Sequence, residues 1–355
     1  MPRTPVRLPA ALDWQPPADW TAITTLDAHT GGEPLRIVLA GWPELRGGTI
    51  LARRRDARER LDALRTALMW EPRGHADMYG CIVTPPVSPE ADLGVLFLHN
   101  EGYSSMCGHG ILAVATALVE TGAVAADGPA VALGIDTPAG LVRATAHLAA
   151  EPAEGARVER ASFLNVPSFV AELDATADVP GLGGVRYDLA FGGAFYAYVD
   201  AAAVGVALDD VPALIRAGRA IKAAVASSRA IVHPEDDELG FLYGTVFVGP
   251  AEGAGAHSRN VCVFADGEVD RSPTGTGVSG RAAIHHARGE LAAGERIEIE
   301  SVIGTRFGVR VAETARFGPH AAVVPEVDGR AFLTGRHTFW LDPADPLVDG
   351  FLVGR

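Results

Sequence analysis

From Trp20 onward the chain alternates short β-branched or aliphatic runs with Gly- and Pro-rich turns, as in TAITTLDAHTGGEPLRIVLAG and LGVLFLHNEGYSS. Runs of that length, bounded by turn residues, predict β-strands. Leu51 to Trp70 reads differently: Leu61, Leu64 and Leu68 recur at helical spacing with Arg and Asp on the other side. It predicts one amphipathic helix whose charge run is a solvated face. Two more helices are expected over ILAVATALVETG and VSGRAAIHHARGE, each ending in Gly as helices commonly do. Both have little polar surface near their starts, so each is expected at the centre of its own domain.

What precedes these two helices is an internal echo. Ser105-Met106-Cys107-Gly108-His109-Gly110 opens the first, and Ser272-Pro273-Thr274-Gly275-Thr276-Gly277 opens the second. The copies lie 274 − 107 = 167 positions apart in a chain of 355 residues, close to half its length. A chain of this size suits two domains. Duplicated halves, each presenting one helix start, predict a shared cleft between them as the candidate site.

Composition narrows the classes. Apolar residues at 48%, charged residues at 21% and 41 glycines describe a globular α/β or β-rich protein. A net charge of −14 argues against a nucleic-acid partner, because such binding draws on clustered Lys and Arg. Cys81, Cys107 and Cys262 show no CxxC spacing, so a reducing compartment is expected in place of a disulfide framework. No signal-like apolar core opens the chain and no run of roughly 18 apolar residues could span a bilayer, so a cytoplasmic location is expected, with no membrane partner. The proline-rich residues 1–19 are expected to form an extended arm.

A helix start with small Gly residues offers free N–H groups and the positive end of the macrodipole, which together bind an anion such as a carboxylate. Two facing starts would clamp one. A cysteine in that field can have its pKa lowered from about 8.5 into the range of roughly 3.5 to 7.5, which makes Cys107 a candidate base. Cys81 and Cys262 sit in apolar strand-like runs (GCIVTPP, NVCVFAD) and are expected to be structural. GxxxxGK[ST] is absent from both openings, which weighs against nucleotide phosphates. His29, His75, His109, His233 and His257 lack metal-ligand spacing, so no metal is expected. Of these, His109 stands apart because it sits inside the anion-binding turn.

The blocks DAHTGGEPLRIV, EPRGHADMYG, MCGHG, FGGAFYAYVD, SRNVCVFADGEVDRSPTGTG and ESVIGTRF, in this order between Asp27 and Gly350, resemble the signatures of the proline racemase family. That family includes proline racemases, 4-hydroxyproline epimerases and trans-3-hydroxy-L-proline dehydratases. The resemblance implies a diaminopimelate epimerase-like α/β fold of two pseudo-symmetric domains, each with β-strands wrapped around a central helix and a cofactor-free site in the cleft. It places the first domain at 20–185 plus 335–355 and the second at 186–334.

In racemases and epimerases of this family both helix starts carry a cysteine, whereas here the second is Thr274. A threonine hydroxyl is too weak an acid to relay protons near neutral pH, and the Cys/Thr pairing resembles the dehydratases. The resemblance therefore implies catalytic Cys107 and Thr274, with Gly108, His109, Asp270, Gly275 and Thr276 binding a hydroxyproline. Two alternatives stand beside this: a racemase or 4-hydroxyproline epimerase working with one thiol, and a non-catalytic binder of pyrrolidine carboxylates. The sequence admits a homodimer without requiring one.

Overall fold

The computed structural model describes residues 13–150 and 155–353. The expected arm lies mostly outside the described residues; within its described part Trp14 packs edge-on against Trp20, with ring centroids 5.8 Å apart, and against Trp340 at 5.0 Å.

The first half of the chain forms β1 (Thr21–Thr30), β2 (Glu33–Ala40), α1 (Ile50–Arg60), α2 (Asp62–Met69), β3 (Tyr79–Thr84), β4 (Leu93–His99) and β5 (Gly102–Ser104). It continues with α3 (Gly108–Glu120), β6 (Ala130–Thr137), β7 (Gly140–Leu148), β8 (Val158–Leu164) and β9 (Ser168–Val179). The second half forms β10 (Gly183–Phe191), β11 (Phe195–Asp200), α4 (Val211–Ser228), β12 (Leu242–Gly249), β13 (Ser258–Phe264) and β14 (Glu268–Val269). It ends with α5 (Gly275–Ala287), β15 (Arg296–Glu300), β16 (Arg306–Phe317), β17 (His320–Gly329) and β18 (Ala331–Leu341).

The duplication holds strand by strand. In the first half β1 and β2 pair antiparallel, β2 and β3 pair parallel across α1 and α2, and β3, β4 and β5 meander antiparallel. Then β4 and β6 pair parallel across α3, followed by antiparallel β6, β7 and β8. The second half repeats this sequence: β10 and β11 antiparallel, β11 and β12 parallel across α4, and β12, β13 and β14 antiparallel. There β13 and β15 pair parallel across α5, and β15, β16 and β17 follow antiparallel.

Each half also gives its last strand to the other. β9 pairs with β10 and β18 pairs with β1, while β8 and β17 join the two lobes. The domain edges expected at 185/186 and 334/335 consequently fall inside β10 and β18. The second lobe closes into a ring around α5 through β17 and β9. In the first lobe α3 packs against β1, β7, β8 and β18.

The two central helices are buried over most of their length, as their Ala-, Val- and Leu-rich text predicts. Both end on a glycine in the left-handed region, Gly122 and Gly289, each at φ 72°, where a residue without Cβ carries no steric penalty.

The single helix expected over Leu51 to Trp70 is two. The break falls at Leu61 (φ −127°, ψ 13°), whose side chain turns into the core while Asp62 restarts the helix and pairs with Arg65 at 2.7 Å. Nor is the charge run wholly solvated. Arg54 is buried against Glu238 at 3.1 Å, and buried Arg65 donates to the carbonyls of His99 and Asn100. A buried guanidinium needs this saturation of its donors, since it cannot shed its charge.

Candidate active site

The starts of α3 and α5 meet glycine to glycine. A Cβ built on Gly108 would lie 2.5 Å from the Gly275 Cα, and one built on Gly275 would lie 2.5 Å from the Gly108 Cα. Only glycine on both sides permits this approach, which brings the free N–H groups of two helices to one place. Between the lobes lies a small cavity lined by Tyr79, Met106, Cys107, Gly108, His109, Tyr196, Tyr243, Phe264, Asp270, Thr274, Gly275 and Thr276. Its volume of about 20 Å³ is room for one water, so a ligand enters by parting the lobes or shifting side chains. All seven residues singled out in the sequence line this cavity.

Cys107 is the N-cap of α3. Its sulfur accepts the Gly110 N–H at 3.2 Å and lies 3.2 Å from His109 Nδ1. Pro34 O lies 3.3 Å from His109 Nε2; with the Nε2–H donated there, Nδ1 presents its lone pair to the thiol. Burial lowers the His109 pKa, so the ring is neutral near pH 7. The lowered thiol pKa expected from the helix field is not what this closed site yields. Burial pushes the Cys107 thiol well up, and the charge of Asp270 pushes it further, against the opposing hydrogen bonds from Gly110 and Tyr79.

Thr274 occupies the matching N-cap of α5 at φ 68°, ψ 97°, an uncommon conformation for a β-branched residue. Its backbone N–H donates to Ser272 Oγ at 3.1 Å. The buried hydroxyl makes no hydrogen bond of good geometry, although it faces Cys262 closely enough to favour that residue's thiolate. Burial still dominates Cys262 and Cys81 and raises both thiols. Asp270 Oδ1 accepts the Ser272 N–H at 2.7 Å, so the carboxylate shapes the turn into α5 while its side chain lines the cavity. Thr276 Oγ1 bonds the Tyr196 hydroxyl at 2.7 Å.

The motif blocks converge here because they hold the lobes together. Within the first lobe Thr30 of the first block donates to His109 O and braces the start of α3, while Thr305 of the last block donates across the lobes to Gly31 O. Glu33 is fully buried; one oxygen accepts the Arg271 N–H at 2.7 Å and the other, Oε1, has no partner. Burial and the neighbouring Asp270 raise its pKa well above the ordinary value, which holds it neutral. Residue-level reading assigned no role to Glu33, Tyr79, Tyr196 or Tyr243. The first three lie inside the resembling blocks, which was the available signal; Tyr243 lies in none of them.

A larger open groove of about 660 Å³ flanks the C-terminal end of α5. Arg288 there pairs with Asp174 and Asp188, and Arg186 pairs with Asp174; neither helix start reaches it. Among the described residues no group of three or more His, Cys, Asp or Glu is placed to hold a metal ion, and no helix is long and apolar enough to cross a membrane.

Fold and site define a two-lobed, epimerase-like α/β protein whose paired helix starts face each other across a buried cleft. The family model for proline racemase matches residues 25–352, and the chain belongs to that family. A trans-3-hydroxy-L-proline dehydratase of Colwellia psychrerythraea is 47% identical over 96% of both chains. A 3-hydroxyproline 2-epimerase of Burkholderia multivorans is 46% identical, over 94% of this chain and 98% of that one. Among solved structures, a hydroxyproline epimerase from Agrobacterium vitis with bound trans-4-hydroxy-L-proline superposes with TM-score 0.87 at 31% identity, over 94% of this chain and 96% of that one.

Proposed function

We propose that this protein is a trans-3-hydroxy-L-proline dehydratase. The observation that carries the reading is the asymmetry of the two helix caps: a thiol at Cys107, and at the matching position the Thr274 hydroxyl. Stereoinversion at the α-carbon needs a proton taken from one face and another returned to the opposite face. A threonine hydroxyl cannot do the second task near neutral pH. Elimination needs no base on that face. In trans-3-hydroxy-L-proline the hydroxyl is opposite the carboxylate, which puts it on the same face as the α-hydrogen.

In this reading the substrate carboxylate sits at the facing N–H groups of α3 and α5, where the developing charge is stabilised. The ring ammonium pairs with Asp270, since a buried cation requires a counter-charge. Its arrival offsets a charge that helps hold the Cys107 thiol protonated. The thiolate then takes the α-proton, the C3–O bond breaks, and the resulting enamine tautomerises to Δ1-pyrroline-2-carboxylate. Names of relatives at 47% and 46% identity divide between dehydratase and 3-hydroxyproline 2-epimerase, so the second activity is the rival to be tested. The strand exchange further leads us to set the lobe edges near 166 and 330, so that β9 belongs to the second lobe and β18 to the first.

The test incubates the purified protein, without additives, with trans-3-hydroxy-L-proline, trans-4-hydroxy-L-proline and L-proline, following pyrroline formation and optical rotation, with Cys107→Ser as control. Pyrroline from the 3-hydroxy substrate, lost in the variant, supports the reading. A change of rotation without loss of water overturns it in favour of epimerisation.

A further inference from the structure

Removing water from C3 requires a proton for the departing hydroxide, and a thiolate that has just taken the α-proton is only one source. We infer that the Tyr79 phenol is the acid that binds the substrate 3-hydroxyl and protonates it as the C3–O bond breaks. The inference rests on the dehydratase reading and adds a residue to it.

The α-hydrogen and the 3-hydroxyl share a ring face, so the acid must stand on the Cys107 side of the cavity. The first lobe contributes Tyr79, Met106, Cys107, Gly108 and His109 to the lining. Of these only Tyr79 and His109 carry further polar hydrogens on a side chain. Both nitrogens of His109 have partners, Cys107 Sγ and Pro34 O, and the ring is held neutral by burial. That leaves Tyr79. Its ring stands edge-on to His109 with centroids 4.9 Å apart, and its hydroxyl meets Ser104 Oγ at 2.5 Å and the Tyr243 hydroxyl of the other lobe at 3.4 Å. This row of three hydroxyls supplies a donor with replaceable partners, so the phenol can turn to a ligand without being stranded in an apolar wall. Burial keeps the phenol protonated throughout the neutral range.

The step balances. The Cys107 sulfur forms an S–H bond with the α-hydrogen, and the C–H electron pair becomes the C2–C3 double bond. The C3–O pair leaves with oxygen, which takes the Tyr79 proton and departs as water. The Cys107 S–H proton then returns to the phenolate, restoring thiolate and phenol.

Tyr79→Phe tests this with three measurements: dehydration of trans-3-hydroxy-L-proline, exchange of its α-hydrogen in deuterium oxide, and loss of fluoride from trans-3-fluoro-L-proline, whose leaving group needs no full proton transfer. The expected result is a dehydration kcat lower by about 10²-fold or more, within the range of a lost general acid, with KM changed by less than about 3-fold. Exchange and fluoride loss should stay within about 10-fold of the wild type, which also shows that the variant is folded. Undiminished dehydration would overturn the assignment and leave the proton to Cys107 alone. A parallel fall in all three activities would overturn the acid assignment and leave Tyr79 as a residue that packs the site and favours the Cys107 thiolate. Wild-type turnover is measured first, so absence of dehydration there counts against the functional reading itself and not only against Tyr79.

Discussion

Cys107 and Glu33 show how strongly one buried position governs its own ionisation. The Cys107 thiol is pushed up chiefly by burial, so in the free enzyme the thiolate is the minor form near pH 7 and its fraction grows with pH. Since kcat/KM reports the free enzyme, log kcat/KM should climb with a slope near one from pH 6 to pH 8. A flat profile over that interval would mean that the thiol is already ionised.

Glu33 acts on stability with the opposite slope. Its folded pKa is raised above the ordinary 4.5, so the folded chain holds a proton that the unfolded chain releases above that value. Stability is therefore lost as pH rises. Glu33→Gln, which keeps the shape without the titration, should match the wild type near pH 4 and melt at higher temperature by pH 8. Melting curves at the two pH values decide it. The helix-start residues of the site were legible because their motifs are contiguous. Glu33 was not, because its partner Arg271 is 238 positions away.

Among elements, the facing starts of α3 and α5 carry the most consequence. Gly108→Ala adds a methyl 2.5 Å from the Gly275 Cα. Overpacking of that kind costs about 1–3 kcal/mol, and here the strain is relieved only by separating the two helix starts that define the anion site. The variant should lose at least about 10²-fold in kcat/KM while melting only a few degrees lower, a split readable from kinetics and calorimetry on one sample. The central helices were legible from their apolar text and closing Gly, and strands β1 to β5 and β13 from their β-branched and aliphatic runs. The break at Leu61 was not, because no Gly or Pro marks it in LARRRDARERLDALRTALMW. Nor was the burial of Arg54 and Arg65, whose partners Glu238, His99 and Asn100 come from elsewhere in the chain.

For the molecule as a whole, duplication predicted two lobes but not how they are joined. Repetition of a motif marks a copied unit and says nothing of which strand closes which lobe. The pairings of β8 with β17, β9 with β10 and β18 with β1 run the sheet continuously across both lobes. The first lobe is completed only by β18 from the far end of the chain, and β8 and β17 pair across the boundary, so the two lobes should unfold together. Differential scanning calorimetry is expected to give one transition with calorimetric and van't Hoff enthalpies in agreement; two resolved peaks would show that the lobes are energetically separate.

The same exchange sets a schedule for synthesis. β1 leaves the ribosome roughly 300 residues ahead of its partner β18. At about 5–20 residues per second, β1 waits on the order of 15 to 60 s with one edge unpaired, open to pairing with another nascent chain. A chain broken off before Ala331 never closes that edge, so premature termination should yield a sticky product and not a half-active enzyme.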